Sequence, residues 1–168
     1  MEKRSLVLFY SWSGNTRRVA RIIAQLSGAD LAELQPATAY PTDYAATVRR
    51  ARQEIEKCAR PSLRPLNVDW AEYDTVFLGT PNWCGTAAPP MYAFLYQVMP
   101  VEKYIIPFCT HGGGGAGRIA HVIAQYCIGC DVLPLLALRD DGGANAEKEI
   151  AQWLRRIHLI QQTMNEIR

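Results

Sequence analysis

Several absences narrow the possibilities before any motif is read. The chain has no excess of charge: 18 basic residues against 16 acidic ones leave +2, too little for the electrostatic footprint of a nucleic-acid binder. It has no apolar run near the ~18 residues needed to span a bilayer, so no membrane insertion is expected. It has no disulfide framework. The five cysteines are odd in number, and Cys58, Cys84 and Cys109 stand far apart. No metal is expected either. Cys127 and Cys130 have C-x-x-C spacing, but no second pair and no neighbouring His pair completes a zinc site. That pair is read as structural or as a regulatory disulfide. The basic start at Met1, Glu2, Lys3 and Arg4 is followed by too short an apolar run, with no small-residue cleavage site, to be a secretion signal. A cytoplasmic protein is expected. Without disulfides or metal, the 168 residues must be held by an apolar core, and they suffice for a single domain over 1–168.

What is present alternates. Residues 6–10 form a continuous apolar run, as a strand buried on both faces should. Val19, Ile22, Ile23 and Leu26 then recur at helical spacing, and Gly28 ends the pattern. Residues 30–35 read as an edge strand. Thr42 or Asp43 can cap a second helix running to about Cys58. Its apolar face would be Tyr44, Val48, Ala51 and Ile55; Arg49, Arg50, Arg52, Glu54, Glu56 and Lys57 read as a solvated face of mixed sign. Residues 75–79 form a third strand, and Pro89 and Pro90 open a helix that buries Met91, Phe94, Leu95 and Val98. Residues 104–109 form a fourth strand in which Pro107 predicts a bulge or a missing ladder bond. Ile119, Val122, Ile123 and Tyr126 mark the fourth helix. Residues 132–138 form a fifth strand, suited to an edge by Pro134, and a last helix opens at Asn145 and turns Ile150, Trp153, Leu154 and Ile157 inward. Five β units alternating with five α units predict an α/β fold: a parallel sheet covered by helices on both faces. Ligands of such sheets bind beyond the carboxyl ends of the strands.

The loops after strands one, three and four carry the unusual chemistry. The first, SWSGNT, is Ser11, Trp12, Ser13, Gly14, Asn15 and Thr16. Its hydroxyls, its amide and the free N–H groups of the helix that follows suit a phosphate. It lacks the lysine of a nucleotide P-loop and the ribose acid of a dinucleotide fingerprint, which favours a terminal monophosphate. Plain N-capping by Ser13 or Asn15 is the alternative. Trp12 contributes little to such a site and is expected to shield it or to pack on a neighbouring surface. Arg17 and Arg18 are expected at the periphery rather than as ligands. The second loop is Pro81, Asn82, Trp83, Cys84, Gly85 and Thr86. Trp83 could stack on a planar ring, or simply cover the end of the sheet. The third loop, THGGGGAG, starts with Thr110, His111, Gly112 and Gly113. Its bare amides could reach the heteroatoms of a ring, and His111 could hydrogen-bond, transfer a proton or serve structure alone. His121 and His158 read as structural.

With these three loops in order, the chain resembles a flavodoxin, in particular the flavodoxin-like subfamily with SxSGNT, PNWxGT and THGG loops. The resemblance covers residues 6 to about 160 and includes the YPTDY segment at 40–44. It implies a three-layer sandwich with a five-stranded sheet in the order 2-1-3-4-5 and one non-covalent FMN. By that resemblance the first loop would hold the FMN phosphate, the second would lie along the flavin ring, and the third would line its other side. It also implies that the Cys84–Gly85 peptide turns over on flavin reduction, which glycine would make easy. Two features depart from the family pattern. Its electron carriers are strongly acidic whereas this chain is slightly basic, and the tyrosine that commonly covers one flavin face is replaced by His111 and glycines. The implied function is electron transfer to a redox partner protein; the alternative is an FMN-dependent oxidoreductase acting between NAD(P)H and a quinone or other small molecule. A phosphate-binding domain of the same fold without flavin is the third possibility.

Overall fold

A computed structural model describes residues 4–167. The basic start at Met1–Lys3, read above as no leader, lies outside the described residues. Strand β1 (Ser5–Phe9) is central. Its even residues Leu6 and Leu8, with Tyr10 beyond, enter one apolar core, and its odd residues Val7 and Phe9 enter the other. Two cores, one on each side of the sheet, explain why the run is apolar without alternation. Helices α1 (Asn15–Ser27) and α5 (Ala146–Ile167) cover one face, through Val19, Ile23, Ile150, Trp153 and Ile157. Helices α3 (Pro89–Val98) and α4 (Ile119–Tyr126) cover the other, through Met91, Phe94, Leu95, Ile119 and Ile123. Each such fully buried side chain contributes about 1.5–3 kcal/mol against the cost of ordering the chain. No helix of the described residues is long and apolar enough to cross a membrane.

The parallel order is β2 (Asp30–Glu33), β1, β3 (Thr75–Trp83), β5 (Tyr104–His111) and β6 (Asp131–Val132). That is the expected succession, but among the described residues the sheet has seven strands rather than five. One addition is β4 (Thr86–Ala87), a short antiparallel return on the end of β3. The other is β7 (Leu136–Arg139), the second half of an edge strand expected to be continuous. Pro134 lies in the break. It has no N–H to give, and its carbonyl accepts instead from Trp153 Nε1 at 2.9 Å.

Pro107 causes no bulge: β3 and β5 stay in register through the Leu78–Pro107 pair. The missing bond lies on the other side. The Ile105 carbonyl accepts from Leu133 N, so Pro107, two residues on, also faces outward. There it meets the interval between β6 and β7, where no donor is required.

Helix α2 (Tyr44–Glu56) is capped by Asp43, whose carboxylate accepts from Ala46 N at 2.6 Å. Of its expected apolar face only Ala51 is buried, and Val48 and Ile55 are half-buried. Neither core contains a residue of α2, and Tyr44 is 71% exposed. Leu26, expected inside, is also exposed at the end of α1.

Candidate functional site

Parallel strands all release their following loops at one edge, so the three loops meet beyond β1, β3 and β5. The contacts between them are specific. The buried hydroxyls of Thr16 and Thr110, 94 residues apart, are hydrogen-bonded at 2.8 Å. Asn82 Nδ2 donates to the Gly115 carbonyl at 2.6 Å. Arg118 N donates to the Gly85 carbonyl at 2.8 Å. At Gly117 the loop passes so close that a Cβ would lie 2.3 Å from that same oxygen; only glycine permits the approach.

Between the loops lies a cleft of about 400 Å³. Trp12, Ser13 and Asn15 line it from the first loop, Pro81, Asn82, Trp83 and Cys84 from the second, and Thr110, His111 and Gly112 from the third. The other six residues expected at the site do not line it. Ser11 is buried and caps α1, its Oγ accepting from the amides of Gly14 and Arg17, both at 3.2 Å. The residue at the cap position is therefore Gly14, which provides the left-handed turn, and the Ser11 Oγ reaches in from three residues before it, rather than Ser13 or Asn15 capping the helix. Thr16 is tied to Thr110. Thr86 Oγ1 pairs with the Tyr92 hydroxyl at 2.6 Å. Gly113 N donates to His111 Nδ1 at 3.0 Å. With Nδ1 accepting, the neutral ring carries its proton on Nε2.

Gly85 occupies a tight turn. Trp83 pairs with Thr86 across the two-residue connection Cys84–Gly85, and both connecting residues have positive φ, 54° and 82°. That is a type I′ hairpin, in which glycine suits the second position and cysteine is strained at the first. Turning over the central peptide would leave Cys84 at positive φ with reversed ψ, a region that only glycine enters readily. The flip that glycine eases on one side is opposed by Cys84 on the other.

The aromatics settle among the alternatives that the sequence left open. Trp83 stands edge-on to Tyr10 at 5.5 Å and to Tyr40 at 4.9 Å, bracing the hairpin against the sheet. Burial raises the phenols of both tyrosines well above their ordinary range. Trp12 packs on a neighbouring surface: its Nε1 donates to the Pro41 carbonyl at 2.9 Å, and its ring lies 6.3 Å from that of Tyr44. Arg17 forms a two-pronged ion pair with Glu33 at 3.0 and 2.7 Å, and Arg18 reaches Asp141 at 3.5 Å. Neither is free to hold a ligand.

The sequence reading missed one wall. Tyr44, Thr47, Val48, Ala51 and Arg52 of α2 also line the cleft, as does Asp140 at the end of β7. The signal was present as helical spacing at 44, 47, 48, 51 and 52. For Tyr44, Val48 and Ala51 the same spacing also describes a face packed on a core, while Arg52 has the character of a solvated face. Among the described residues no cluster of His, Cys, Asp and Glu could hold a metal ion.

The topology and the cleft at the carboxyl edge define a doubly wound α/β protein with a cleft at its strand-order reversal, the place where such sheets bind ligands. The chain belongs to the flavodoxin family, whose model matches residues 4–157. Among solved structures it is similar to a protein of Bacteroides eggerthii designated a flavoprotein, at 28% identity and a TM-score of 0.80, over 94% of this chain and 99% of that one. A Bacteroides uniformis protein of the same designation gives 26% identity, a TM-score of 0.80, and coverage of 92% and 99%. A Lactobacillus acidophilus flavoprotein, solved in complex with FMN, gives 27%, 0.68, and coverage of 87% and 97%.

Proposed function

We propose that the chain is a single-domain cytoplasmic flavoprotein that binds one FMN non-covalently in this cleft and carries one or two electrons on it. The observation that carries the proposal is the joining of three loops, distant in sequence, into one cleft by the Thr16–Thr110 bond and the Gly85–Arg118 contact. The donors present fit an FMN. The first turn of α1 has no acidic residue, so its positive end is uncompensated, and the amide of Asn15 makes only a long 3.5 Å contact with Ser13 Oγ. Ser13 and Asn15 would hold the phosphate directly, with Ser11, Gly14 and Thr16 shaping the loop around it. Pro81, Asn82, Trp83, Cys84, Gly85 and Thr86 form the wall assigned to one side of the ring, and Thr110, His111, Gly112 and Gly113 that assigned to the other. His111 Nε2 would donate its proton into the cleft. When bound, FMN supplies the one- and two-electron chemistry. The protein's part is to hold it, exclude water and set the donors around it.

The test is stoichiometric. Purified chain loaded with FMN should retain one flavin per chain and pass electrons between a reductase and a protein acceptor. Failure to retain FMN would sink the proposal. A second reading, an FMN-dependent NAD(P)H:quinone or small-molecule oxidoreductase, draws support from the α2 wall, which widens the cleft beyond the three loops. Rapid NAD(P)H oxidation with a quinone, without any partner protein, would select it over the carrier.

A further inference from the structure

The α2 wall differs in chemistry from the three loops. Thr47 Oγ1 donates to the Pro41 carbonyl at 2.7 Å, so its hydroxyl proton is already engaged. With Val48 and Ala51 that residue makes an apolar strip. At one end of the strip stands the exposed ring of Tyr44, beside Trp12; at the other stands Arg52. Four other arginines nearby are paired. Arg17 pairs with Glu33, Arg18 with Asp141, Arg50 with Glu54, and Arg139 with Asp140. Among the described residues Arg52 has no carboxylate, carbonyl or ring partner. A cation held without a counter-ion on a cavity wall favours an anion there, and low-dielectric walls strengthen the attraction.

We propose that this wall is a second-ligand subsite, continuous with the flavin cleft, for a planar redox acceptor bearing an anionic group, of the class of a quinone sulfonate or carboxylate. The planar body lies against the Val48–Ala51 strip and the Tyr44 ring. The anionic group pairs with Arg52. The inference rests on the FMN reading above, and the experiment separates the two.

The test is equilibrium binding to the oxidised FMN-loaded protein by titration calorimetry, where no turnover occurs. The probe is anthraquinone-2-sulfonate, with 2-(hydroxymethyl)anthraquinone as its neutral counterpart; FMN affinity is measured on the same variants. The wild type should prefer the sulfonate, and the preference should shrink as salt rises. Arg52→Gln should weaken sulfonate binding about tenfold, as loss of a partly exposed charge-assisted contact implies. It should leave the neutral probe and FMN unchanged, and Arg52→Lys should restore part of the loss. Equal binding of the two probes by the wild type, or no binding of either to protein that holds FMN, overturns the subsite. A parallel loss of FMN affinity in Arg52→Gln also overturns it and makes Arg52 a flavin ligand. If the wild type fails to hold FMN at all, the functional reading has failed before the subsite is reached.

Discussion

Replacing Gly117 with alanine should pull the glycine-rich loop away from the β3–β4 hairpin. The added Cβ would lie 2.3 Å from the Gly85 carbonyl oxygen and 2.7 Å from its carbon. Both are backbone atoms, so no rotamer change relieves the clash. Gly117 also has φ +52, which costs an alanine about 1 kcal/mol. Separation would break the Arg118 N to Gly85 O bond at 2.8 Å, worth about 1 kcal/mol more. The expected loss is therefore about 2 kcal/mol, read as a lower urea midpoint at unchanged slope. Gly115→Ala is the control: its φ is +67 but nothing lies within 4 Å of the new Cβ, so only the backbone cost of about 1 kcal/mol applies. FMN affinity should fall in Gly117→Ala and hold in Gly115→Ala, because only the first moves one wall of the cleft relative to another. Equal stability and equal affinity in the two variants would refute the claim that this contact fixes the cleft.

Three further outcomes follow from the same contacts. In a double-mutant cycle of Thr16→Val and Thr110→Val, unfolding free energies should show a coupling of about 1 kcal/mol, with each single change costing more than its share because it strands a buried hydroxyl. Cys84→Asn should stabilise the fold by roughly 0.5–1 kcal/mol, since asparagine accepts the first position of a type I′ turn, whereas Cys84→Val should destabilise it; thermal unfolding decides. Burial pushes the thiols of Cys109 and Cys127 up to about 12. Below the ordinary thiol range both folded and unfolded chains keep these protons, so no slope arises. Above it the unfolded chain releases protons that the folded one retains, and stability falls until about pH 12. Each thiol contributes about 1.4 kcal/mol per pH unit over that interval. Cys109→Ala should show a shallower alkaline decline than the wild type in denaturation series, and an identical slope would refute the assignment.

Much of the architecture was legible because its causes are local. The unbroken run at 6–10 could only be a strand covered on both faces, and the spacing from Val19 to Ile23 could only be a helix with one apolar side. The three loops could be placed because each follows a parallel strand, and parallel strands release their loops at one edge. What escaped depends on distant partners. Tyr44, Val48 and Ala51 have the same spacing whether they border a core or a cleft, and only the position of α2 relative to the sheet distinguishes the two. The edge-on contacts of Trp83 escaped because its partners Tyr10 and Tyr40 come from other segments. The bonds of Ser11 also escaped: its Oγ accepts from the amides of Gly14 and Arg17, which needs Gly14 in the left-handed region to bring them back to it. The two residues of β4 are too few to show an alternation, and the division of the edge strand at Pro134 depends on the indole of Trp153 nineteen positions away.

The central claim, that the first loop holds the phosphate of an FMN whose ring occupies the cleft, is tested most directly by titrating apo-protein with FMN and with riboflavin, which lacks the phosphate. Two charge-assisted contacts predict that FMN binds about a hundredfold more tightly or better, and that Ser13→Ala narrows the gap; equal affinities for the two flavins, or no binding of either, would contradict the account.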